Sequence, residues 1–534
     1  MKDFEHFGIF MCCSGIGVVR VERVKDLILK MEKMGYNLLE LGLDDVFKIE
    51  EEPYFGYLRG GYTESDLKEM DRFARDHGVE LVPCVQTLGH LTNLLKLPAY
   101  SSIVDIGNVL LIDEPRTYEL IDRMFCVLSR CFTSRLINIG MDEAHYFGRG
   151  KYLDKNGYVN AADLLVKHLE RVIGIAKKYG FSAHMWSDMF FRINNHGKYY
   201  EKGARIDESI KRKLPRDISL CYWDYGEHEL TEEMFGDLFS QHEELGRELW
   251  FAGGAWNWNG FAPQNTMSLK AMELAIKQAC RHSVKHVLIA LWSDDGNECP
   301  FDAVLPSLYA IRQYARGIYD EERISKGFYE MFGVKFEDFM LLDLPNKTKR
   351  NSDLTIKESA CKTLLYNDCF LGWKDSAMEK EGYIPYKQYT RVLKEAAKRL
   401  GEYADIAENL ANLCSVLELK STLGVRTRNA YRCGDKKTLL SVWKDYRTVA
   451  DGVKKFHIGF KKLWHKYFRP FGWAVHEIRL GGLESRIEDC AERLKAYLDG
   501  SIERIEELEE TILPYADWGL QYNLYRGLVT VSEL

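Results

Sequence analysis

Two adjacent carboxylates, Asp142 and Glu143, are the residues of this sequence whose type and position most clearly suggest chemistry. They follow an apolar run in the stretch Leu136–Tyr152, which reads LINIGMDEAHYFGRGKY. Carboxylates at the end of a buried strand are costly to desolvate unless they are paired or perform acid–base work. A salt-bridged acidic turn is the alternative interpretation, so the surrounding elements have to decide between the two.

The apolar run predicts a strand from Leu136 to Asp142. Side chains alternate in direction along a strand, so Asn138, Gly140 and Asp142 are expected to face inward together. Glu143 then lies one residue later, where the strand opens into a loop rich in glycine and aromatic residues. This placement brings both carboxylates to one end of the strand.

Seven further short apolar stretches are also typical of strands, and amphipathic helical stretches separate them. The predicted strands are Phe7–Cys12, Asn37–Leu43, Val79–Gln86, Leu136–Asp142, Phe181–Asp188, Ile218–Asp224, Leu249–Trp256 and Val284–Trp292. Thr63 and Asp66 form a capping box before one of the helices. Eight strand–helix alternations predict an α/β fold with a parallel barrel, the (β/α)8 TIM barrel, because eight strands close it.

A doubly wound open sheet is the alternative fold, and it would usually show a phosphate-binding first turn. Residues 14–20 begin like GxGxxG, but arginine stands where the last glycine belongs, and there is no Walker lysine. Nucleotide binding is therefore not indicated.

The chain changes character after about residue 320. Strand patterns stop, and residues 385–415, 436–468 and 484–512 have the periodicity of helices rich in Lys, Glu, Leu and Ala. We therefore expect a catalytic barrel over residues 1–320 and an all-α helical C-terminal domain over residues 321–534. Lysine and arginine are frequent between Lys436 and Arg469, which suggests a solvated helix face or a docking face for an acidic partner.

Composition excludes several classes of protein. The 534 residues carry a net charge of −7, which gives no support for nucleic-acid binding. The thirteen cysteines are scattered and predict reduced thiols without a zinc site. No apolar run is long enough to span a membrane, and the N-terminus is a poor signal peptide. We therefore expect a cytoplasmic protein that is not bound to a membrane.

The carboxyl ends of barrel strands carry the chemistry of this fold, so these ends have to be considered together. Four successive strands end in tryptophan: Trp186, Trp223, Trp256 and Trp292. Aspartate follows three of them within two residues. Indole faces stack on the C–H faces of a pyranose and carboxylates accept from its hydroxyls, so the pattern favours a sugar site over a merely aromatic rim.

The adjacency of Asp142 and Glu143 selects among glycosidase mechanisms. A general acid and a nucleophile usually lie on opposite sides of the glycosidic bond, whereas neighbours in sequence act more plausibly on one side. That arrangement suits substrate-assisted cleavage, in which a 2-acetamido group of the sugar supplies the nucleophilic oxygen. Glu143 would then protonate the leaving oxygen and later activate water, while Asp142 would hold the acetamide N–H.

Several stretches resemble the glycoside hydrolase family 20 β-N-acetylhexosaminidases, in the branch that lacks an additional N-terminal domain. The matching stretches are LELGLDDVF (39–47), PYFGYLRGGYT (53–63), LVPCVQTLGHL (81–91), INIGMDEAHYFGRGKY (137–152), MWSDM (185–189), YWDY (222–225) and LWSDDG (291–296). They lie between residues 39 and 296, in the family's order. The C-terminal helical region resembles the same branch more loosely.

The resemblance implies roles for individual residues. Asp142 corresponds to the acetamide-orienting aspartate, Glu143 to the acid/base, and His90, with Asp45 or Asp44 behind it, to the supporting histidine–carboxylate pair. The implied substrate-binding residues are Trp186, Trp223, Tyr225, Trp256, Trp292, Asp294 and Arg59. Tyr225 stands in for the family's acetamide-binding tyrosine, because the seventh strand ends in Trp256. Arg59 or Arg20 stands in for an early arginine of the family that has no counterpart at Phe7 and Gly8.

The expected function is an exo-acting β-N-acetylhexosaminidase that removes terminal β-linked GlcNAc or GalNAc by a retaining, substrate-assisted route. The expected partner is a small oligosaccharide or glycoconjugate with a terminal N-acetylhexosamine, with no cofactor and no metal, and a homodimer is an open expectation. One alternative is a non-catalytic amino-sugar-binding barrel. A second alternative is a metal-dependent barrel hydrolase, whose metal ligands would be His90, Asp142, Glu143 and His145. A scaffold that works through its helical domain is a further alternative.

Overall fold

Eight parallel strands close into a barrel in the computed structural model, which describes residues 4–514, 520, 524–530 and 532. The strands are β1 (His6–Cys12), β2 (Leu38–Gly42), β3 (Glu80–Cys84), β4 (Leu136–Asn138), β5 (Ser182–Trp186), β6 (Ile218–Trp223), β7 (Leu249–Gly254) and β8 (His286–Leu291). Each strand pairs with its neighbours in the chain, and β1 closes the ring against β8, with Gly8 opposite Leu288. The predicted barrel is confirmed.

Helices follow the strands, as the alternation predicts. Between β1 and residue 320 they are Val21–Met34, Glu64–Asp76, Thr92–Leu95, Pro115–Cys131, Lys151–Asn156, Ala161–Lys178, Asp188–Asn194, Glu208–Lys213, Glu232–Glu243, Asn265–Arg281 and Leu305–Ala315, with 3-10 turns at Pro98–Ile103 and Phe301–Val304. The predicted capping box is present: the Thr63 hydroxyl accepts from the Asp66 N–H, and the Asp66 carboxylate accepts from the Thr63 N–H.

The fourth strand is shorter than predicted. It was expected to reach Asp142, but β4 ends at Asn138. Gly140 and Met141 both have positive φ angles, +68° and +69°, which a strand cannot accommodate. Asp142 and Glu143 therefore lie on a turn beyond the strand, so the alternation that was expected to aim Asp142 inward does not apply to them.

A buried polar layer lies inside the barrel below this turn. Asn138 of β4 donates to Glu40 Oε1 at 2.8 Å, and His184 of β5 lies 2.8 Å from Glu40 Oε2. All three side chains are buried. The Asn138 side-chain oxygen also accepts from the Gly140 N–H at 2.9 Å. The layer satisfies a buried carboxylate and connects β4 to the start of the turn.

An insertion between β3 and β4 anchors the loop that follows the acidic pair. It contains a short antiparallel hairpin of Val104–Ile106 with Val109–Leu110, which the sequence analysis did not predict. Asp105 of this hairpin is buried, and its carboxylate accepts from the backbone N–H of Gly148 at 2.5 Å and of Tyr152 at 2.8 Å. These two bonds tie residues 148–152 to the insertion.

The chain divides into two compact units. The first comprises residues 1–255, 270–292 and 309–319, and the second comprises residues 256–269, 293–308 and 320–534. The sequence predicts that a barrel domain ends and a helical domain begins after residue 320. This domain boundary stays a prediction.

The second unit is helical, as predicted. Beyond residue 320 its helices are Glu321–Phe332, Phe336–Met340, Ala360–Tyr366, Asp375–Glu381, Tyr386–Ala397, Ala404–Arg432, Lys436–Tyr467, Trp473–Asp499 and Glu506–Glu509, with 3-10 turns at Leu341–Asn346, Gly401–Tyr403 and Tyr525–Gly527. The helix predicted over 484–512 begins eleven residues earlier, at Trp473, and ends at Asp499. Gly500 ends it because its left-handed conformation closes the last turn.

Buried charge is paired in the second unit. The Lys362 ammonium is fully buried and lies 2.7 Å from carboxylate oxygens of both Asp295 and Glu298, and Arg479 lies 3.0 Å from Asp295. The thirteen cysteines carry free thiols. Within the described part of the chain, no helix combines the length and the hydropathy that crossing a membrane requires.

Candidate active site

The acidic pair sits on a turn whose backbone is held in unusual conformations. Met141 and Glu143 have φ angles of +69° and +49°, and His90, which follows β3, has a φ of +56°. Asp44, which follows β2, has a φ of +41°. Non-glycine residues at positive φ are uncommon and cluster at functional sites. The loops after three neighbouring strands of the barrel, β2, β3 and β4, thus contain such residues, and three of the four have ionisable side chains.

Asp142 is buried but held in its ionised form. Its Oδ1 accepts from Gln86 Nε2 at 2.7 Å, and its Oδ2 lies 3.2 Å from His90 Nε2. Burial alone would raise the pKa of Asp142, but the His90 cation and the Gln86 amide outweigh burial, so its pKa lies below the ordinary value. The result is an anionic acceptor in a desolvated position.

Glu143 lies between two hydrogen-bonding side chains. Its Oε2 is 3.5 Å from His90 Nε2, and its Oε1 accepts from the Tyr199 hydroxyl at 2.9 Å. Its backbone N–H donates to Asp188 Oδ2 at 3.0 Å. The side chain of Glu143 is 38% exposed and that of Asp142 is 11% exposed, so Glu143 is the more accessible of the two to a substrate.

His90 contacts both carboxylates through one ring nitrogen. Burial lowers the pKa of His90, but the charges of Asp142 and then Glu143 raise it by more than burial lowers it. The resulting pKa is about 10. The imidazolium form is therefore present at neutral pH and neutralises part of the charge of the pair. The predicted partners of His90 were Asp45 or Asp44, whereas the contacts of His90 are to the acidic pair itself.

Asp44 and Asp45 have other partners. Asp44 accepts from the Ser14 hydroxyl, and burial raises its pKa to about 6. Asp45 lies 3.2 Å from the Arg59 guanidinium, which also donates to the Ser14 carbonyl. Arg59, predicted to bind sugar hydroxyls, is thus placed beside Ser14 and Asp45. Asp44 influences His90 only through its charge, which raises the pKa of that imidazole.

Asp188 links the acidic pair to the aromatic part of the site. It is fully buried at the start of the helix after β5, and its two oxygens accept from the Glu143 N–H and, at 3.3 Å, from Trp223 Nε1. Burial, together with the charge of Asp142, raises the pKa of Asp188 to about 8. Asp188 therefore positions both the turn that carries Asp142 and Glu143, called the acid turn below, and the indole of Trp223.

Aromatic side chains gather beside the acidic pair. Trp223 stacks on Tyr225 with ring centroids 5.5 Å apart, and Tyr225 meets Trp292 edge-on at 6.5 Å. Trp186 and Trp292 lie 5.7 Å apart, and Phe10 of β1 contacts both of them. The structure thus brings together four of the predicted aromatic residues around one end of the barrel.

Trp256 and Asp294, also predicted to bind substrate, belong to the second unit. Trp256 is fully buried, stacks on Trp258 with centroids 4.1 Å apart, and has the Lys357 ammonium 5.0 Å from its ring centroid. Asp294 is exposed, and its carbonyl accepts from the Gly296 N–H. Their roles in substrate binding stay predictions.

Three residues of the site are not among the site residues predicted from the sequence: Gln86, Asp188 and Tyr199. Gln86 and Asp188 follow β3 and β5, so their position after a strand was a usable signal. Tyr199 comes from an irregular loop and has no such signal. Among the described residues, no group of three or more His, Cys, Asp or Glu side chains is arranged to hold a metal ion.

This arrangement can perform proton transfer next to a fixed anion. Glu143 is an accessible carboxyl group, Asp142 is a buried carboxylate, and His90 carries the compensating positive charge. The indole and phenol rings beside them offer apolar faces of the kind that pack on sugar rings.

Two family models match the chain. Residues 37–234 match "Glycosyl hydrolase family 20, catalytic domain", and residues 337–521 match "Glycoside Hydrolase 20C C-terminal domain". Hexosaminidase D of Bos taurus is 24% identical over 208 residues, covering 36% of this chain and 55% of the relative. Hexosaminidase D of Homo sapiens is 23% identical over 221 residues, covering 39% and 42%. This chain thus spans about half the length of the curated relatives that it matches.

The solved structures that match part of the chain include two enzymes of known source. The β-N-acetylhexosaminidase of Bacteroides fragilis is 17% identical, with a TM-score of 0.46 over 61% of this chain and 70% of that one. The GH20 exo β-N-acetylglucosaminidase of Vibrio harveyi, in complex with N-acetylglucosamine, is 15% identical, with a TM-score of 0.45 over 63% and 58%.

Proposed function

We propose, from the premise that this chain carries the catalytic and C-terminal domains of glycoside hydrolase family 20, that it is an exo-acting β-N-acetylhexosaminidase. The substrate would be an oligosaccharide or glycoconjugate with a terminal β-linked GlcNAc or GalNAc. The observation that carries the proposal is the adjacent pair Asp142 and Glu143, of which one is buried and ionised and the other is accessible.

In the first step Glu143 acts as the general acid. Its proton moves to the glycosidic oxygen while the bond from that oxygen to the anomeric carbon breaks, and the carbonyl oxygen of the substrate's own acetamide bonds to the anomeric carbon. The aglycone leaves as an alcohol, and an oxazolinium ring remains. The exposure of Glu143 supports this role, because the acid must reach the leaving oxygen.

Asp142 assists the acetamide. Its carboxylate would accept a hydrogen bond from the acetamide N–H. It would also stabilise the positive charge that develops on the oxazolinium ring. A buried anion held in place by Gln86 and His90 suits this role, because it needs little reorganisation when the charge appears. His90 keeps the two neighbouring carboxylates from repelling each other.

In the second step Glu143 acts as a general base. It takes a proton from water, whose oxygen attacks the anomeric carbon and opens the oxazolinium ring. Two displacements at the same carbon restore the β configuration, so the enzyme would be retaining. The rings of Trp186, Trp223, Tyr225 and Trp292 would pack around the sugar and its acetamide.

Activity on three aryl glycosides tests the proposal. The acetamide is required for this mechanism, so we expect hydrolysis of aryl β-GlcNAc or β-GalNAc and a rate on the aryl β-glucoside that is lower by orders of magnitude. Equal rates on the glucoside would contradict substrate assistance, and no hydrolysis of any of the three would contradict glycosidase activity.

Variants of the pair separate the two carboxyl roles. Asp142→Ala should lower kcat by about 10²- to 10³-fold on every substrate, because the charge stabilisation is lost. Glu143→Gln should lower kcat by about 10²- to 10⁴-fold on substrates with poor leaving groups and by less on activated aryl substrates, which need less acid help. The same loss on both substrate classes in Glu143→Gln would argue against its acid role.

A further inference from the structure

Tyr199 stands in direct contact with the carboxyl group that the proposed function assigns as acid and base. Its hydroxyl donates to Glu143 Oε1 at 2.9 Å, on the opposite oxygen from the one facing His90. Its ring packs edge-on against Trp223 at 5.7 Å between centroids, and the Arg192 guanidinium lies 5.3 Å from its ring centroid. The ring is thus held on two sides.

The same hydroxyl has a second partner. His145 Nε2 lies within hydrogen-bonding distance of the Tyr199 oxygen. Burial lowers the pKa of His145, and the nearby Arg192 lowers it further, so the imidazole is neutral at neutral pH. A neutral imidazole with its proton on Nδ1 accepts a hydrogen bond through Nε2. With His145 in this tautomer, the Tyr199 proton has two acceptors, Glu143 and His145.

A phenol with one proton and two acceptors can donate to only one of them at a time. When Glu143 carries a proton, its carboxyl is a weaker acceptor, and His145 becomes the better partner for Tyr199. When Glu143 has lost its proton, the carboxylate becomes the stronger acceptor, because hydrogen bonds to charged groups are about twice as strong. The contact of Tyr199 with Glu143 thus depends on where the catalytic proton is.

We propose that Tyr199, oriented by His145, is a positioning residue whose hydroxyl turns from His145 to Glu143 when the acid has given up its proton. This inference rests on the proposed function for the role of Glu143. The Tyr199 O–H bond stays intact throughout: the proton that reaches the glycosidic oxygen comes from Glu143, and the phenol changes only its acceptor. The new hydrogen bond forms as the carboxylate charge develops, so it stabilises the transition state of the first step.

Tyr199→Phe removes only the hydroxyl and tests this role. On substrates with an alkyl or sugar leaving group, we expect kcat/KM to fall by about 10- to 100-fold, the loss typical of one hydrogen bond to a charged group. On an activated aryl substrate the loss should be only a few-fold, and KM should change little. A loss of equal size on both substrates, or none, would overturn the proposal.

The pH profile gives a readout that a merely structural role would not move. The titratable and charged groups around the contact are His90 and Asp142 beside Glu143, and Asp188, Arg192 and His145 around Tyr199. Tyr199→Phe removes a donor that favours the ionised carboxylate, so the basic limb of kcat/KM should move to higher pH. Tyr200→Phe is the matched control, since its hydroxyl contacts Ser187 at 3.0 Å instead. An unmoved limb in Tyr199→Phe, or the same shift in Tyr200→Phe, would overturn the proposal.

A measurement without turnover separates this inference from the proposed function. With ¹³C-labelled glutamate carboxyls and Glu143→Gln to assign the resonance, the Glu143 signal should titrate at higher pH in Tyr199→Phe than in the unsubstituted protein. An unchanged titration overturns the role of Tyr199 even if the enzyme is active. If the enzyme hydrolyses no aryl β-N-acetylhexosaminide, the proposed function fails, and the titration still decides the contact between Tyr199 and Glu143.

Discussion

Single residues in this site act through charge and hydrogen bonding on their neighbours. One imidazolium, His90, faces two carboxylates, and one carboxyl group, Asp188, accepts from the backbone of Glu143 and from the indole of Trp223. These contacts are all within the chain and hold the ionisable side chains in place, and a fixed arrangement of charges is the condition for electrostatic stabilisation without reorganisation.

Replacing His90 tests this charge arrangement. His90→Gln removes the cation that lowers the pKa of Asp142, so burial would then dominate and the pKa of Asp142 would rise. Since Asp142 must be ionised, we expect the acidic limb of the kcat/KM profile to move to higher pH by about 1 to 2 units. A profile whose acidic limb stays in place would show that His90 does not control Asp142.

Asp188→Ala tests the link between the acid turn and the indole. The substitution leaves the Glu143 N–H and Trp223 Nε1 without their acceptor, so both groups lose their fixed position. We expect kcat to fall by about 10- to 100-fold with the fold retained. Asp154→Ala, on an exposed position of the helix Lys151–Asn156, should leave kcat unchanged. Wild-type kcat in Asp188→Ala would contradict the positioning role.

At the scale of elements, the turn after β4 is the feature that brings the residues together. Gly140 occupies it at a φ of +68°, and a Cβ atom there would lie 2.3 Å from Gln86 Oε1 and 3.0 Å from the Val85 carbonyl oxygen. Gln86 is the side chain that holds Asp142. The absence of a side chain at residue 140 thus leaves room for the side chain that holds Asp142 of the acidic pair.

Gly140→Ala should therefore reduce both stability and activity. The left-handed backbone costs about 1 kcal/mol for alanine, and displacing Gln86 adds to it, so the free energy of unfolding should fall by about 2 to 3 kcal/mol. Turnover should fall as well, because Asp142 loses an amide donor. Urea denaturation and kcat measure the two effects.

Gly333→Ala is the control for Gly140→Ala. Gly333 has a left-handed backbone with a φ of +71°, but a Cβ atom there meets nothing within 4 Å. It should show the backbone cost of about 1 kcal/mol and no loss of kcat. Equal effects of the two substitutions would mean that backbone strain alone, and not the displacement of Gln86, accounts for the result.

The elements of the barrel were predictable because their signal is local. Each strand is an apolar run followed by a helical stretch, and each of the eight predicted runs, from Phe7–Cys12 to Val284–Trp292, overlaps an observed strand. The end of β4 was not predictable from alternation, since the turn depends on positive φ angles at Gly140 and Met141. The short hairpin near residue 105 has two- and three-residue strands, which leave no periodicity to detect.

The site was predictable where it follows the strands. Asp142, Glu143, His90 and the tryptophans of the first unit lie at strand ends, and the fold alone brings such ends to one edge of a barrel. The partner of His90 was not predictable, because which of several nearby carboxylates a side chain meets depends on rotamers. Tyr199 lies 56 residues from Glu143 in the chain, and no periodic pattern leads to that contact.

At the scale of the whole molecule, buried histidines make stability depend on pH. Burial lowers the pKa of His168 to about 4, and of His242 and His476 to about 3, each below the value of about 6.5 expected in the unfolded chain. The unfolded state thus binds more protons at acidic pH. The stability that these groups contribute is complete above about pH 6.5 and is lost progressively as the pH falls toward 4 and below.

Urea denaturation at a series of pH values measures this dependence. We expect the unfolding midpoint to fall steadily from pH 7 to pH 4, and the fall should be less steep in His168→Gln, since one acid-sensitive group is removed. His196→Asn, at an exposed position with positive φ, should leave the steepness unchanged. A midpoint independent of pH over this range would contradict the prediction.

The hairpin carboxylate Asp105 has a consequence for binding. Because its two oxygens hold the backbone of Gly148 and Tyr152, the loop that leaves the acid turn loses its conformational freedom when the protein folds. A substrate that meets this loop does not have to order it, so the entropic cost that flexible loops add to association is absent on this side. The affinity on this side is therefore not reduced by the cost of ordering the loop.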